Sequence, residues 1–380
     1  MKITEVKISV FELPDVTRRV EMFESGSGPN TRWVSRPHGA QSTGHRHVLH
    51  VRTDEGVEGV CTVGDVRYTA MTEELLEQVR IIAVGSDPLD RDILYGKLEA
   101  ATRHVFAPPG WFGAFDNCLW DIAGKVAGLP VHALIGRVRE AAPAYYNIRG
   151  DEKETAVQDA VKAVALGFRG VKDHFRDTGR VNMEWFRAVR SAVGPDVDLM
   201  HDAAGCAYSL DEALRVGRAL EELEFRWFEE PLPDRHLREL QTLCAALDVP
   251  VLNPETLMND VDLSAEWLIS GATDLLRANA RHGTTPLLKL ARLAEMHGTT
   301  IELNGPGGLF GLVHAQLMCC IPNTSCYEYF PGGTRDEVGK EIGLLNPPVP
   351  VDGYISPPEG PGWGAEWDWP YFLKKRVAEL

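Results

Sequence analysis

Long apolar runs are missing from this 380-residue chain. No stretch of 18 or more apolar residues occurs, which excludes a membrane-spanning helix. The N-terminal MKITEVKISVFELP alternates like a strand and has no apolar h-region, so no secretory leader is expected. The seven cysteines include no C-x-x-C pair. That odd, scattered set favours reduced thiols and a cytoplasmic location over a disulfide framework. Positive charge is scarce: 39 Lys and Arg stand against 55 Asp and Glu, for a net −16. A general nucleic-acid binder needs clustered cations and is argued against. An enzyme for anionic substrates would instead need local cations at its site. No G-x-G-x-x-G opens a helix, and NGPGGLFG (304–311) lacks the Lys-Ser/Thr of a P-loop, so it reads as a tight turn.

What the chain does have is an ordinary balance of 44% apolar and 25% charged residues, and length enough for two domains. From about residue 140, short apolar or β-branched runs recur: PAYYN, GVKDHF, VDLMHDA, RWFEEP, PVLNPE, DLLRAN, TTIELN and CYEYF. Amphipathic segments such as ETAVQDAVKAVALG and SLDEALRVGRALEEL separate them. Run ends at 202, 229, 255, 279 and 304 are each one strand-plus-helix unit apart. This regular alternation predicts a parallel TIM-like β/α barrel over 131–349 rather than an open sheet. Residues 1–130 read as an α+β capping domain: a strand meander (MKITEVKISVFEL, HRHVLHVRTDEG, VEGVCTVG), then helix from MTEELLEQVRIIAVG. The Pro-, Gly- and Trp-rich tail 350–380 is expected to pack back on it. The stretch from Glu24 to Gly44 reads as a long structureless loop. Its Arg32, Trp33, Arg36 and His38 are candidates to close on an anionic substrate.

In such a barrel the C-terminal strand ends converge on one site. Consecutive ends carry Asp202, Glu229 and Glu255. Three acids aimed at one point repel unless a hard cation neutralises them, and oxygen donors suit Mg²⁺, with Mn²⁺ the alternative. Any one of them alone would read as a solvated surface acid. Glu230, beside Glu229, supports the site or faces the helices, and His201, beside Asp202, reads as structural. One strand earlier, Lys172 and His174 share a face. His174 there is a sensible proton acceptor, kept neutral by the Lys172 ammonium. Lys172 could also touch a substrate carboxylate. Arg149, Arg277 and Arg281 lie at or beyond strand ends and supply further local cations.

Together these motifs resemble the enolase superfamily, and within it the mandelate racemase-like group. DNCLWDIAGKVAGLPVHALIG (116–136) resembles the group's join of capping domain to barrel, GFRGVKDH its K-x-K/H strand, and RWFEEPLP with the Asp202 and Glu255 strands its metal-binding series. The resemblance runs from Lys2 to about Leu345. It implies a (β/α)₇β barrel, Mg²⁺-assisted removal of a proton α to a carboxylate, and an enediolate intermediate. It also implies that His174 is the base, Lys172 its assisting cation, and Glu328 in CYEYF the acid that hydrogen-bonds the substrate carboxylate. Relatives form even-numbered assemblies, so a homo-oligomer is implied, with a small anionic sugar acid as the partner.

The chain departs from that pattern where many members carry an Asp/His acid–base dyad. It has Asn279 and Asn304 at those places. Neutral amides bind substrate but do not exchange protons. Two-base racemisation is therefore disfavoured, and reaction from one face by His174 is expected: dehydration of a sugar acid, or cycloisomerisation of a lactone or anhydro ring. His282, just past the sixth run, is a weaker candidate for the missing acid. A reading of another class is a catalytically quiet, metal-dependent sugar-acid binding protein. Retention of Lys172 and His174 speaks against it, because a binding protein needs no base.

Overall fold

A computed structural model describes all residues except 16–19, 26–31, 38–41, 65–69, 151, 306–308, 333, 334 and 336. The alternation at the N-terminus becomes β1 (Ile3–Asp15), which buries Ile3, Val6, Ile8 and Val10. β2 (Val20–Ser25) and β3 (Arg32–Pro37) form an antiparallel pair, Val20 facing Pro37. Part of the stretch expected to be structureless is therefore a ribbon. The alternation of VEMFES and RWVSRP around a Gly-, Ser- and Pro-rich centre is the sequence signal for it. β4 (Ser42–Thr53) and β5 (Glu58–Thr62) complete the cap sheet with β1. Helices α1 (Glu73–Ala83) and α2 (Arg91–Val105) follow.

Helix α3 (Gly113–Ala127) joins cap to barrel, and its polar residues explain how. Asp121 accepts a hydrogen bond from the Val60 amide on β5 (3.0 Å) and another from the Trp363 amide (3.0 Å). At the other end, Asn117 donates to the Ala280 carbonyl (2.7 Å), and Asp116 accepts from the Thr285 amide (2.8 Å). Gly113 lies so close that a Cβ there would stand 2.2 Å from the Arg281 carbonyl oxygen. Only glycine permits this approach to the turn after the sixth barrel strand. A short α4 (Val131–Ile135) leads on.

The barrel alternates β6 (Ala142–Asn147), α5 (Lys153–Ala165), β7 (Gly170–Asp173), α6 (Gly179–Val193), β8 (Asp198–Asp202), α7 (Leu210–Glu222) and β9 (Phe225–Glu229). It continues through α8 (Leu237–Ala246), β10 (Val251–Asn253), α9 (Val261–Ile269), β11 (Leu275–Ala278), α10 (Thr284–Met296), β12 (Ile301–Leu303), α11 (Phe310–Met318) and β13 (Tyr327–Tyr329). Ser209 caps α7 by accepting from the Glu212 amide (3.3 Å), a contact worth about 1 kcal/mol. Ala213, Val216 and Leu220 then face the sheet at helical spacing.

The strands pair in the order β13-β6-β7-β8-β9-β10-β11-β12, all parallel, and β12 lies beside β13 to bring the sheet round. Tyr145, Met200, Trp227, Leu252 and Cys326 fill the interior, with Tyr145 and Trp227 packed edge to face at 5.5 Å. That apolar plug is the floor on which the site stands. After β14 (Tyr354–Ile355) and α12 (Trp369–Lys375), β15 (Ala378–Glu379) adds to the free edge of β1, so the tail returns to the cap sheet. All seven cysteines are unpaired, and no described helix is long and apolar enough to cross a membrane.

Candidate active site

One layer above the plug the inward side chains become charged. Register places Asn147 beside Lys172 on the first two strands, and Asp202 beside Glu229 on the third and fourth. Glu255 follows β10 by two residues, and Glu328 is the middle residue of β13. All of these are buried.

Lys172 Nζ lies 3.2 Å from Asp202 Oδ2, 3.0 Å from Glu229 Oε2 and 2.6 Å from Glu328 Oε1. An ammonium has three donors, and all three are spent on carboxylates. Opposite, Arg277 lies 2.8 Å from Glu229 Oε1, 2.7 Å from Glu328 Oε2 and 3.3 Å from Glu255 Oε2. Lys172, Glu229, Arg277 and Glu328 thus form a closed ring of alternating charge, with Asp202 attached at Lys172 and Glu255 at Arg277. His174 stands at the rim, its side chain 24% exposed, with Nε2 3.1 Å from Asp202 Oδ2. With Asp202 ionised, Nε2 is the donor of that pair and Nδ1 the accepting nitrogen.

The titration of the cluster follows from this geometry. Burial pushes Asp202 and Glu328 up, but Lys172 beside Asp202, and Arg277 with Lys172 beside Glu328, hold both well below the usual carboxylate range. Glu229 goes the other way. Burial, helped by Asp202 and Glu328, lifts it to about 7 despite Arg277 and Lys172. Glu230, at a left-handed φ of 46°, is raised well above its ordinary value by burial and by Glu255, Asp202 and Glu229.

These carboxyls outnumber the buried cations Lys172 and Arg277, and that imbalance bears on a metal. Among the described residues no three acids are already drawn around one point for an ion, because Lys172 and Arg277 lie among them. The donor set nevertheless fits a hard divalent cation. Its ligating atoms are all carboxylate oxygens at adjacent strand ends. Glu229 Oε1 is buried and receives no hydrogen bond among the described residues, even with the guanidinium 2.8 Å away. A cation there would satisfy that atom and relieve the repulsion that raises Glu229 and Glu230.

The comparison with known proteins agrees with the architecture. Residues 155–371 match the enolase C-terminal domain-like family, and residues 30–136 match the mandelate racemase/muconate lactonizing enzyme N-terminal domain. The chain belongs to the enolase superfamily, in its mandelate racemase-like group. A D-galactonate dehydratase family member from Catenulispora acidiphila is 27% identical over 84% of this chain and 82% of its own length. The L-talarate/galactarate dehydratase of Salmonella typhimurium is 29% identical over 74% of this chain and 72% of its own. Among solved structures, D-glucarate dehydratase from Agrobacterium tumefaciens complexed with magnesium superposes with a TM-score of 0.82 at 31% identity, covering both chains in full.

Within this superfamily chain, the structure gathers Lys172, His174, Asp202, Glu229, Glu255 and Glu328 into one cluster. Lys172 spends its three donors on Asp202, Glu229 and Glu328, and Glu328 lies between the Lys172 ammonium and the Arg277 guanidinium. Asn279 and Asn304 are buried and bonded to each other, Asn279 Nδ2 donating to Asn304 Oδ1 at 3.1 Å. Asn304 Nδ2 donates in turn to Glu255 Oε2 at 2.8 Å. These amide groups serve a candidate ligand at least as directly as they would serve a substrate. His282 is buried next to Arg281, whose Nε donates to its Nε2 (2.9 Å).

Arg149, exposed, donates to the Pro331 carbonyl and so closes the seam between the first and eighth strands. Trp33 stands 63% exposed on β3, and Arg36 is the backbone register partner of Glu21 in the same ribbon. His38 lies outside the described residues. Two residues went unrecognised as parts of the cluster. Arg277, expected as one of the local cations for an anionic substrate, is completely buried and lies among the acids Glu229, Glu255 and Glu328. Asn147 is buried, donates to the Tyr329 carbonyl (3.0 Å) and leaves Oδ1 without a donor among the described residues. Both are inward residues of barrel strands, two positions before Asn279 and two after Tyr145 respectively. That period of two was the available signal.

Proposed function

We propose that this chain is an acid-sugar dehydratase that removes the proton α to a carboxylate with His174 and expels the β-hydroxyl from the same face. The carrying observation is the asymmetry of the mouth. His174 is a partly exposed imidazole on one side, while Asn279 and Asn304 on the other are buried amides engaged with each other and with Glu255. The dehydratase names of the relatives support the reading.

His174 accepts the α-proton, and the C–H electron pair moves into the carboxylate to give an enediolate. The imidazolium then returns that proton to the β-hydroxyl as its C–O bond breaks. Water leaves, and the enol that remains tautomerises to a 2-keto-3-deoxy acid. Asp202, Glu229 and Glu255 would hold Mg²⁺, or Mn²⁺, which when bound stabilises the second negative charge on the carboxylate oxygens. Lys172 and Arg277 lie between the acids and hold them apart.

The test is solvent deuterium exchange and 2-keto acid formation across aldonic and aldaric acids with Mg²⁺. At least one acid should give a keto product, and H174A should give neither product nor exchange. A ring-opened or ring-closed isomer formed only from lactones or anhydro acids would replace the dehydratase by a cycloisomerase. Wild-type binding of sugar acids without any exchange would replace it by a binding protein.

A further inference from the structure

Arg277 is completely buried. Burying a guanidinium costs several kcal/mol unless its partners are well placed. Its partners here are acids from three other strands: Nη2 lies 2.8 Å from Glu229 Oε1 and 2.7 Å from Glu328 Oε2, and Nε lies 3.3 Å from Glu255 Oε2. Asn304 Nδ2 reaches the same Glu255 oxygen from the seventh strand at 2.8 Å. Lys172 relates to Asp202 as Arg277 relates to Glu255, each cation tying one outlying acid to the shared pair Glu229 and Glu328.

We propose that Arg277 is a positioning residue for the metal-binding carboxylates: with Asn304 it clamps Glu255, and it turns Glu229 against Glu328. The inference rests on the assignment of Glu229 and Glu255 as ligands made above. A planar guanidinium fork holds its carboxylates at fixed angles, whereas an ammonium on a flexible stem can reach several carboxylates without fixing their directions. The amides at the dyad positions acquire a purpose in the same arrangement. Asn279 holds Asn304, and Asn304 holds Glu255, so these two strands serve the ligand set instead of proton transfer.

The deciding experiment titrates the metal-free protein with Mn²⁺, followed by electron paramagnetic resonance, in wild type, R277K and N304L. R277K keeps the positive charge, so the Coulomb repulsion of Mn²⁺ is held constant and the change isolates geometry. Its Mn²⁺ affinity should fall roughly 10- to 100-fold, with about 10-fold for N304L, the range typical of groups that orient metal ligands. Thermal unfolding without metal controls for a merely structural role, which would lower the midpoint but leave Mn²⁺ affinity of the folded protein unchanged. Folded R277K with wild-type affinity would overturn the proposal. Should R277K not fold, wild-type affinity in N304L would do the same. If the wild-type chain itself binds no Mn²⁺, the ligand assignment fails, and this inference with it. Loss of exchange in H174A with intact Mn²⁺ binding tests the reaction separately.

Discussion

Strands β7 and β8 carry charge on both faces, and the two faces differ in a way that separates function from structure. On the outer face Asp173 lies 2.7 Å from His201 Nδ1, with Tyr208, Asn182 and Cys206 around them. Burial pulls the His201 imidazole down, but the Asp173 carboxylate lifts it to about 10. One cation meets one anion, and the pair is closed. On the inner face Lys172, His174 and Asp202 belong to a cluster in which acids exceed buried cations, a carboxylate oxygen receives no hydrogen bond from the described residues, and an imidazole reaches the rim. Both sites are buried and charged, so burial alone does not distinguish them. The unbalanced one has work left for a ligand to do.

The sharpest break of this comparison is on the inner face. H174Q should lower solvent exchange at the α-carbon by about 10²- to 10⁴-fold, the usual contribution of a general base, with Mn²⁺ affinity retained. Exchange at the wild-type rate would remove His174 from the mechanism. Next, D202N should weaken Mn²⁺ binding at least tenfold by calorimetry, since it removes a charged ligand and a partner of Lys172. Equal affinity would move the metal elsewhere.

On the outer face, D173N breaks a closed buried pair. It should cost about 3 kcal/mol in urea unfolding, and the protein that remains folded should still bind Mn²⁺. If D173N abolished Mn²⁺ binding without loss of stability, the two faces would not be separate. The smallest effect belongs to the cap. Burial raises Glu58, but the His50 hydrogen bond and charge, then Arg52, bring it down to about 2. A lowered carboxylate stabilises the fold above its ordinary pKa of 4.5 and loses that contribution as pH falls towards 2. E58Q should therefore be about 1 kcal/mol less stable than wild type near pH 6 and should converge with it in acid. A difference that persists at pH 2 would mean that packing, not charge, is responsible.

Much of the fold was legible because its signals are local. Strand ends recurring one β/α unit apart gave the barrel, and residues two apart gave the shared face of Lys172 and His174. The β2–β3 ribbon was missed because its Gly- and Pro-containing centre dominated the composition of the segment. Arg277 was noticed but assigned to the substrate, since a sequence shows a cation at a strand end but not which layer of the barrel it occupies. The Asn279–Asn304–Glu255 chain was out of reach for the same reason: its members come from three strands, and their amide directions depend on how those strands are staggered.

By itself the sequence determined the alternating β/α order, the acids at consecutive strand ends and the amides Asn279 and Asn304 after the sixth and seventh strands. These are matters of residue type and period, which the chain carries locally. Only the tertiary structure decided which groups are spent on one another. The three donors of Lys172, the ionised state of Glu328 and the burial of Arg277 follow from distances between strands far apart in sequence. In a buried layer those distances set whether a charge is balanced internally or left for a ligand to neutralise.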